Sequence, residues 1–179
     1  MNLSLSQIAV AVGGRLIGPD ATVTGPVVTD SRLAGANSLF VAVHGERTDG
    51  HAHLGSAGAL GAVGAIVSDL AAARAGLSLD ESAGQADEVD PTAAQSEAET
   101  LSRTEDLPMG LVLVEDTVVA LGALARTHLA GLRQAAADRG QRLTVVAMTG
   151  SVGKTTTKNL TRQLLAAAKI GRASCRERV

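Results

Sequence analysis

The chain has 179 residues, 45% hydrophobic and 19% charged, which is enough apolar material for one large domain or one and a part. Phe40 is the single aromatic residue and the net charge is −2, which excludes both the stacking platforms and the basic footprint of nucleic-acid binders. With one cysteine, Cys175, and no long apolar stretch, we expect no intrachain disulfide, no membrane insertion and a cytoplasmic location.

The first 70 residues alternate between helix and strand patterns. Ser4 and Gln7 have the spacing of a capping box ahead of an apolar run, and the glycine pair that follows ends the predicted helix. Two short strands, "RLIG" and "TVTGPVV", flank the turn "GPDA". A buried strand "SLFVAV" (38–43), a small-residue helix "HLGSAGALGA" and a strand "VGAIVS" (63–68) follow. This alternation predicts a small α/β domain.

Residues 80–106 differ in composition from the rest of the chain. They hold nine of its 18 acidic side chains, a single basic one, Arg103, and almost no large apolar ones. Such a segment cannot bury enough apolar surface to offset the entropy lost on ordering. We therefore predict a flexible acidic insertion over 79–107, with an acidic binding segment as the alternative interpretation.

Regular patterns return with "LVLVE" (111–115), a predicted strand, and continue with a helix predicted over 117–138. The apolar face of this helix consists of Leu121, Leu124, Ala125, Leu129 and Leu132. His128 lies at the edge of that face and is interpreted as a packed or half-exposed residue. "LTVVAM" (143–148) predicts another buried strand, and a further helix is predicted over 154–168.

The stretch "MTGSVGKTTTK" lies between that strand and that helix, which is the setting of a phosphate-binding loop. Backbone N–H groups of the glycine-rich turn can surround phosphate oxygens, and the helix dipole favours negative charge. Lys154 can reach the β- and γ-phosphates of a nucleotide, and the Thr155 hydroxyl can ligate Mg²⁺. The usual motif has glycine six residues before the lysine, where this chain has Met148, so the loop is a shorter variant. A capped strand-to-helix turn without a ligand is the alternative.

The predicted nucleotide site assigns catalytic roles to Lys154 and Thr155, and Thr155 is also the predicted metal ligand. The predicted nucleotide contacts are Gly150, Ser151, Val152, Gly153, Lys154, Thr155 and Thr156.

Longer stretches of the sequence resemble one known family. "VVAMTGSVGKTTTKNL" resembles the ATP-binding loop of the Mur ligases, bacterial enzymes that extend the peptide of the cell-wall precursor and use this shortened spacing. Upstream, "TDSRLAGANSLFVAVHGERTDGHAHLGSAGALGAVGAIVSD" resembles the nucleotide-sugar-binding N-terminal domain of that family, through its "DSR", its "LFVA" strand and its "DGH" turn. "VEDTVVALGALA" and Ser151 favour the branch that adds D-alanyl-D-alanine to UDP-N-acetylmuramoyl-tripeptide. The resemblance covers most of residues 1–168 outside the acidic insertion.

The resemblance implies an ATP-dependent amide ligase of peptidoglycan precursor synthesis, and hence a role in cell-wall biogenesis, cell shape and cell division. ATP would phosphorylate the terminal carboxylate of the tripeptide, and the amine of D-alanyl-D-alanine would displace phosphate from the acyl phosphate. The implied cofactors are ATP and Mg²⁺, and the implied partners are the two substrates, with no nucleic acid. The alternatives are another Mur ligase acting on UDP-N-acetylmuramoyl-dipeptide, a non-catalytic UDP-sugar-binding module, and a general P-loop kinase, which leaves "DSR" and "DGH" unexplained.

Two upstream turns carry the residues that the resemblance assigns to the UDP-linked substrate. The first, "TDSR", offers a hydroxyl and a rigid guanidinium fork that suit uridine and a diphosphate. The second, "HGERTDGH", offers glycines for close backbone approach, with an aspartate and a histidine that can orient sugar or peptide groups. The assigned residues are Ser31, Arg32, Gly45, Asp49, Gly50 and His51. For both turns the alternative is a surface loop held by its own hydrogen bonds. The family often has an acidic residue after "DGH", where this chain has Ala52.

These observations predict an α/β protein with two parts. A small N-terminal substrate domain spans 1–115, including the flexible insertion, and the start of a P-loop central domain spans 116–168. The ending "KIGRASCRERV" (169–179) resembles neither the family's continuation nor a domain ending, so we expect a foreign or disordered tail. We also expect the chain to be the N-terminal part of a longer, three-domain ligase and to be inactive by itself.

Overall fold

The computed structural model describes residues 2–45, 48–78, 107–147 and 149–168. The predicted acidic insertion, apart from its last residue, and the predicted tail lie outside these residues. Contacts divide the chain into two units, Met1–Ala135 and Ala136–Val179. The functional boundary at residue 115, between a substrate part and an ATP part, stays a prediction.

The N-terminal unit is built from short strands and helices. Its strands are β1 (Leu3–Ser4), β2 (Arg15–Ile17), β3 (Thr22–Val23), β4 (Val27–Val28), β5 (Ser38–Val41), β6 (Ala62–Val67) and β7 (Gly110–Leu113). Its helices are α1 (Leu5–Val12), α2 (Leu54–Ala59), α3 (Leu70–Ser78) and most of α4 (Thr117–Ala137). Two short 3₁₀ helices lie at Ser31–Leu33 and Gly50–His53.

Five of the strands form one sheet in the order β2-β7-β6-β5-β4. Strands β4, β5, β6 and β7 run parallel, and β2 pairs antiparallel with β7. Strands β1 and β3 form a separate antiparallel pair. The central strand β6 is buried along most of its length, as expected for a parallel strand covered on both faces. The predicted α/β fold class is confirmed.

Alternating side chains of β5 show how the two faces are filled. Leu39 and Val41 join a core with α1 and α4, whereas Phe40 joins a core with α2 and α3 on the opposite face. All three side chains are at most 1% exposed. Helices therefore cover both faces of the sheet, and its loops are left to form the surface at the strand ends.

The predicted start and end of the first helix are confirmed. The Ser4 hydroxyl accepts a hydrogen bond from the Gln7 backbone N–H at 3.2 Å, and the Gln7 side chain accepts one from the Ser4 N–H at 3.0 Å. Gly13 ends the helix in the left-handed conformation, with φ of 70°. Each bond satisfies an N–H group that the helix itself leaves without a partner.

Replacing Ser4 with alanine is expected to lower the free energy of unfolding by about 1 kcal/mol, because the Gln7 N–H loses its capping partner. Urea denaturation of the 179-residue chain measures the change. The matched control is Ser56→Ala on the exposed surface of α2, which should alter stability by no more than a few tenths of a kcal/mol. Equal losses in the two variants would contradict a capping role for Ser4.

The second unit contains α5 (Lys154–Ala167), which confirms the predicted helix after the glycine-rich loop. The strand predicted at 143–148 is wrong for 143–147, which form no regular structure, and Met148 lies outside the described residues. Val145 is 51% exposed and Val146 66%. A strand requires a neighbour to pair its backbone groups, and no described strand pairs with this segment. Apolar composition alone therefore does not make it a strand.

Helix α4 buries only part of its predicted apolar face. Leu124 is buried against the sheet and Leu121 packs beside it, but Leu132 is 46% exposed. No helix among the described residues has the length and apolar character needed to cross a membrane.

Candidate functional site

Three loops of the N-terminal unit leave the sheet on the same side. They follow β4, β5 and β6, which are parallel neighbours, so their carboxyl ends meet along one line that we call the carboxyl edge. The loops contain residues 30–32, residues 44–45 and 48–51, and residues 68–69. In open α/β sheets, ligands bind outside the carboxyl ends of the strands. Both predicted substrate turns lie at this edge.

Asp30 holds the guanidinium of Arg32 at the carboxyl edge. Its carboxylate accepts hydrogen bonds from the Arg32 backbone N–H at 3.1 Å, from Nε at 2.9 Å and from Nη2 at 2.7 Å. The Arg32 side chain is 87% exposed, so its remaining N–H groups face solvent. The hydrogen bonds from Arg32 lower the pKa of Asp30, and those same contacts raise the pKa of Arg32. The arginine fork is thus oriented before any ligand arrives.

Sequence reasoning assigned roles to Ser31 and Arg32 but not to Asp30. The available signal was the aspartate's position one residue before a short turn, where its side chain can accept from the N–H two residues on. Ser31 begins that turn and is half-buried.

His51 is buried at the second turn, with 2% of its surface exposed. Its Nδ1 lies 2.6 Å from Oδ1 of Asp49, and its Nε2 accepts from the backbone N–H of Ser68 at 3.0 Å and of Asp69 at 3.2 Å. Because a backbone N–H can only donate, Nε2 must present its lone pair, and Nδ1 therefore carries the proton. Both ring nitrogens serve contacts within the fold. A direct substrate contact from His51 stays a prediction.

The two glycines of the second turn differ in what surrounds them. A Cβ on Gly50 would lie 2.8 Å from the Val43 nitrogen and 2.9 Å from the Ala42 Cα, so backbone packing excludes a side chain there. Among the described residues, a Cβ on Gly45 would meet the Thr48 carbonyl oxygen alone, at 3.2 Å. Gly50 is required by the fold, whereas the described residues around Gly45 leave more space for a side chain.

Asp49 joins the exposed part of this loop to its buried part. It forms an isolated antiparallel bridge with His44, whose Nδ1 is 3.6 Å from Oδ2 of Asp49 and whose side chain is 77% exposed. The backbone N–H of His51, and after it the ring of His51, lowers the pKa of Asp49. The ionised carboxylate is therefore the form that the folded protein favours.

Because the pKa of Asp49 is lowered in the folded protein, we expect its contribution to the free energy of unfolding to depend on pH. Since the pKa is lower in the folded state than the unfolded value of about 3.9, the contribution is complete above that value and is lost as pH falls through the folded pKa. Asp49→Asn should therefore be less stable than the unmodified chain at pH 7, and the gap should shrink on acidification. Denaturant unfolding of both proteins at pH 7, 5 and 3 measures this difference in the free energy of unfolding.

The matched control for this series is Glu115→Gln, which removes a carboxylate from an exposed position. It should change stability little at any of the three pH values. A gap for Asp49→Asn that stays constant from pH 7 to pH 3 would contradict a role for its charge.

The glycine-rich loop of the second unit contains two glycines with positive φ angles directly before a helix. Gly150 and Gly153 have φ angles of 146° and 83°, in the region that favours glycine, and α5 starts directly after them. A Cβ on Gly153 would meet no heavy atom of the described chain within 4 Å, so the positive φ is the described reason for a glycine there. The Lys154 ammonium group donates to the Gly150 carbonyl oxygen and folds back over the loop.

The start of α5 offers the donors that a phosphate needs. The first N–H groups of any α-helix have no partner within the helix, and α5 is 14 residues long, with its dipole directed at the loop. The predicted contacts Ser151, Val152, Thr155 and Thr156 are all exposed around this helix start. The donors, the open space and the hydroxyls fit a nucleotide phosphate with its Mg²⁺. The described residues contain no cluster of three or more His, Cys, Asp or Glu side chains that could hold a metal ion.

Comparison with known proteins gives a consistent set of relatives, although no family model matches the chain. The UDP-N-acetylmuramoyl-tripeptide--D-alanyl-D-alanine ligase of Mycobacterium tuberculosis is 38% identical over 172 residues, which cover 93% of this chain and 30% of the relative. The ligase of the same name from Escherichia coli is 32% identical over 165 residues, covering 92% and 27%. The chain thus spans about 30% of the length of the curated relatives it matches.

A solved structure gives the same match in three dimensions. The crystal structure of MurF from Acinetobacter baumannii superposes with a TM-score of 0.56 at 27% identity, over 93% of this chain and 28% of that one.

Proposed function

Because this chain belongs to the Mur ligase family, with relatives that match 93% of its length, we propose that it supplies two parts of a ligase that joins D-alanyl-D-alanine to UDP-N-acetylmuramoyl-tripeptide. The carboxyl edge of the first unit binds the UDP-linked substrate, and the glycine-rich loop of the second unit binds ATP. The observation that carries the proposal is that one chain, related in sequence to ligases of that name, contains both an oriented arginine fork at a parallel-sheet edge and a glycine-rich loop directly before a helix.

The reaction that this proposal requires is the activation of a carboxylate. A carboxylate oxygen is a poor leaving group, so the terminal carboxylate of the tripeptide first attacks the γ-phosphorus of ATP, the bond to the bridging oxygen breaks, and ADP leaves. The amine nitrogen of D-alanyl-D-alanine then attacks the acyl carbon, phosphate departs with the carbon–oxygen bonding pair, and the nitrogen loses a proton. Both attacking groups belong to the substrates, so no covalent enzyme intermediate forms.

The residues of the loop stabilise the charge that develops on the transferring phosphoryl group. The N–H groups at the start of α5 supply hydrogen-bond donors for its oxygens, and the ammonium group of Lys154 supplies positive charge once it leaves the Gly150 carbonyl oxygen. The Thr155 hydroxyl is the proposed ligand of Mg²⁺, which supplies further charge neutralisation when bound. Catalysis in this scheme is positioning plus electrostatic stabilisation.

The residues of the carboxyl edge hold the other substrate. Arg32, kept in place by Asp30, presents its free N–H groups to the diphosphate, and the Ser31 hydroxyl bonds a polar edge of the uridine or sugar. The loop of Gly45 and Asp49 lies along the next strand end. The proposed location of the activity is the cytoplasm, where ATP is available.

ATP-dependent phosphate release by the protein that carries these residues tests the proposal. Release should require both UDP-N-acetylmuramoyl-tripeptide and D-alanyl-D-alanine, and omission of either should abolish it. Release with a single amino acid and UDP-N-acetylmuramoyl-dipeptide would instead assign the chain to a sister ligase. Binding of the UDP-linked substrate without any phosphate release would favour a non-catalytic binding module and contradict the ligase.

A further inference from the structure

Hydrogen bonds to the ring of His51 connect the ends of two strands at the carboxyl edge. His51 follows β5 in the chain, yet its Nε2 accepts from Ser68 and Asp69, which lie 17 and 18 residues further on, after β6. Asp69 in turn caps α3, because its carboxylate accepts from the N–H groups of two residues in the first turn. A single buried side chain thus joins the substrate loop to the start of a helix.

Asp49 determines which nitrogen of the His51 ring accepts these hydrogen bonds. Its Oδ1 accepts from the backbone N–H of His51 at 3.0 Å and lies 2.6 Å from Nδ1, so the carboxylate keeps the proton on Nδ1. Nε2 is then free to accept, and the two N–H groups that converge on it leave no room for a proton there. An acceptor at this position satisfies two backbone donors at the end of β6.

The backbone around the ring is equally constrained. A Cβ on Gly76 of α3 would lie 2.0 Å from the His51 carbonyl oxygen, so the helix backbone lies directly against the 3₁₀ helix that carries the ring. On the solvent side, Asp49 pairs through the backbone with His44, which is exposed. The contacts of His51 therefore run from the exposed loop, through Asp49, to α3.

We infer that His51 is a positioning residue: its neutral ring, protonated at Nδ1, holds loop residues 44–45 and 48–50 against the start of α3 and so places the groups that face the UDP-linked substrate, without contacting that substrate itself. The role in substrate placement rests on the proposed function. The fastening of the loop does not, since it follows from hydrogen bonds within the fold.

Nitrogen-15 NMR of the histidine rings in the 179-residue chain tests the tautomer directly. At neutral pH the ring of His51 should show a protonated Nδ1 and an unprotonated Nε2. A protonated Nε2 would overturn the inference, because that nitrogen could not accept from two backbone N–H groups.

Two substitutions separate the donor and acceptor roles of the ring. His51→Asn keeps a donor near the position of Nδ1 but has no group at Nε2, whereas His51→Gln reaches with an acceptor oxygen toward Nε2. In His51→Asn, hydrogen exchange at the amides of Ser68 and Asp69 should accelerate by roughly tenfold or more, and affinity for UDP-N-acetylmuramoyl-tripeptide should fall by about tenfold. His51→Gln should restore both in part. His128→Asn, at an exposed position on α4, is the matched control and should change neither.

The results of these experiments distinguish a positioning role of His51 from direct contact with the substrate. Lower affinity with unchanged exchange at Ser68 and Asp69 would overturn the inference and make His51 a direct substrate contact. Unchanged exchange and affinity in His51→Asn would overturn it as well. If the unmodified chain binds no UDP-N-acetylmuramoyl-tripeptide, the proposed function fails for this chain, while the tautomer and the exchange rates still decide whether the ring fastens the loop. If His51→Asn does not fold, the comparison of His51→Gln with the unmodified chain decides it.

Discussion

Gly76→Ala is expected to destabilise the N-terminal unit by about 3 kcal/mol, whereas Gly122→Ala is expected to stabilise it by about 0.5–1 kcal/mol. Both glycines lie inside helices, Gly76 in α3 and Gly122 in α4, so the change in helix propensity favours alanine equally at the two positions. The difference between the variants therefore reports what surrounds each glycine.

The surroundings of Gly76 leave no flexible group to move aside. A Cβ there would meet the carbonyl oxygen of His51 at 2.0 Å and the Cα of Ala52 at 3.2 Å, both of them backbone atoms. Helix α3 would have to shift away from the loop, and the hydrogen bonds from Ser68 and Asp69 to the His51 ring would lengthen. A Cβ on Gly122 meets no atom of the described residues within 4 Å.

Urea denaturation of both variants at one pH measures the change in the free energy of unfolding that each substitution causes. The shift of each transition midpoint shows directly whether the variant is more or less stable than the unmodified chain. Hydrogen exchange at Ser68 and Asp69 should accelerate in Gly76→Ala alone. Equal stability changes in the two variants would contradict direct packing of α3 on the loop of His51.

Local signals predicted much of the fold from sequence. The capping box at Ser4 and the apolar runs of β5 and β6 depend on residues within a few positions of one another, and the structure confirms them. Helix α3 was not predicted, although Asp69 provides a capping signal, because its small residues give only a weak apolar face. The strand predicted at 143–148 is wrong over 143–147 for a different reason: a strand depends on a partner elsewhere in the chain, which its own residues do not reveal.

The candidate site follows the same division between local and distant contacts. The turns of Arg32 and Asp49 are visible in sequence because each is held by a hydrogen bond to a residue two positions away. The burial of His51 is not visible, because its Nε2 partners arrive through the parallel pairing of β5 with β6. Its position in a polar turn predicts a ligand contact, whereas in the structure both ring nitrogens of His51 form hydrogen bonds within the fold.

In the ligase that we propose carries these residues, Lys154→Ala is expected to lower the rate of ATP-dependent phosphate release by about 10²–10³, while Arg162→Ala is expected to lower it less than about twofold. Both substitutions remove one positive charge from α5, but Lys154 opens the helix beside the glycines and Arg162 is exposed two turns further on. The Lys154 ammonium group now donates to the Gly150 carbonyl oxygen, so it already lies over the loop where the proposed phosphates bind.

The loss should fall mainly on kcat rather than on KM for ATP. In Lys154→Ala the N–H groups at the start of α5 are still present and continue to bind the ground-state phosphates, whereas the charge that grows on the transferring group loses its cation. Initial-rate measurements over a range of ATP concentrations, with UDP-N-acetylmuramoyl-tripeptide and D-alanyl-D-alanine held in excess, separate the two constants. An equal loss in Arg162→Ala would mean that the overall charge of the helix matters rather than the position of the lysine. An undiminished rate in Lys154→Ala would contradict the proposed catalytic loop, because the ammonium group of Lys154 is the cation that the proposal places on the transferring phosphoryl group.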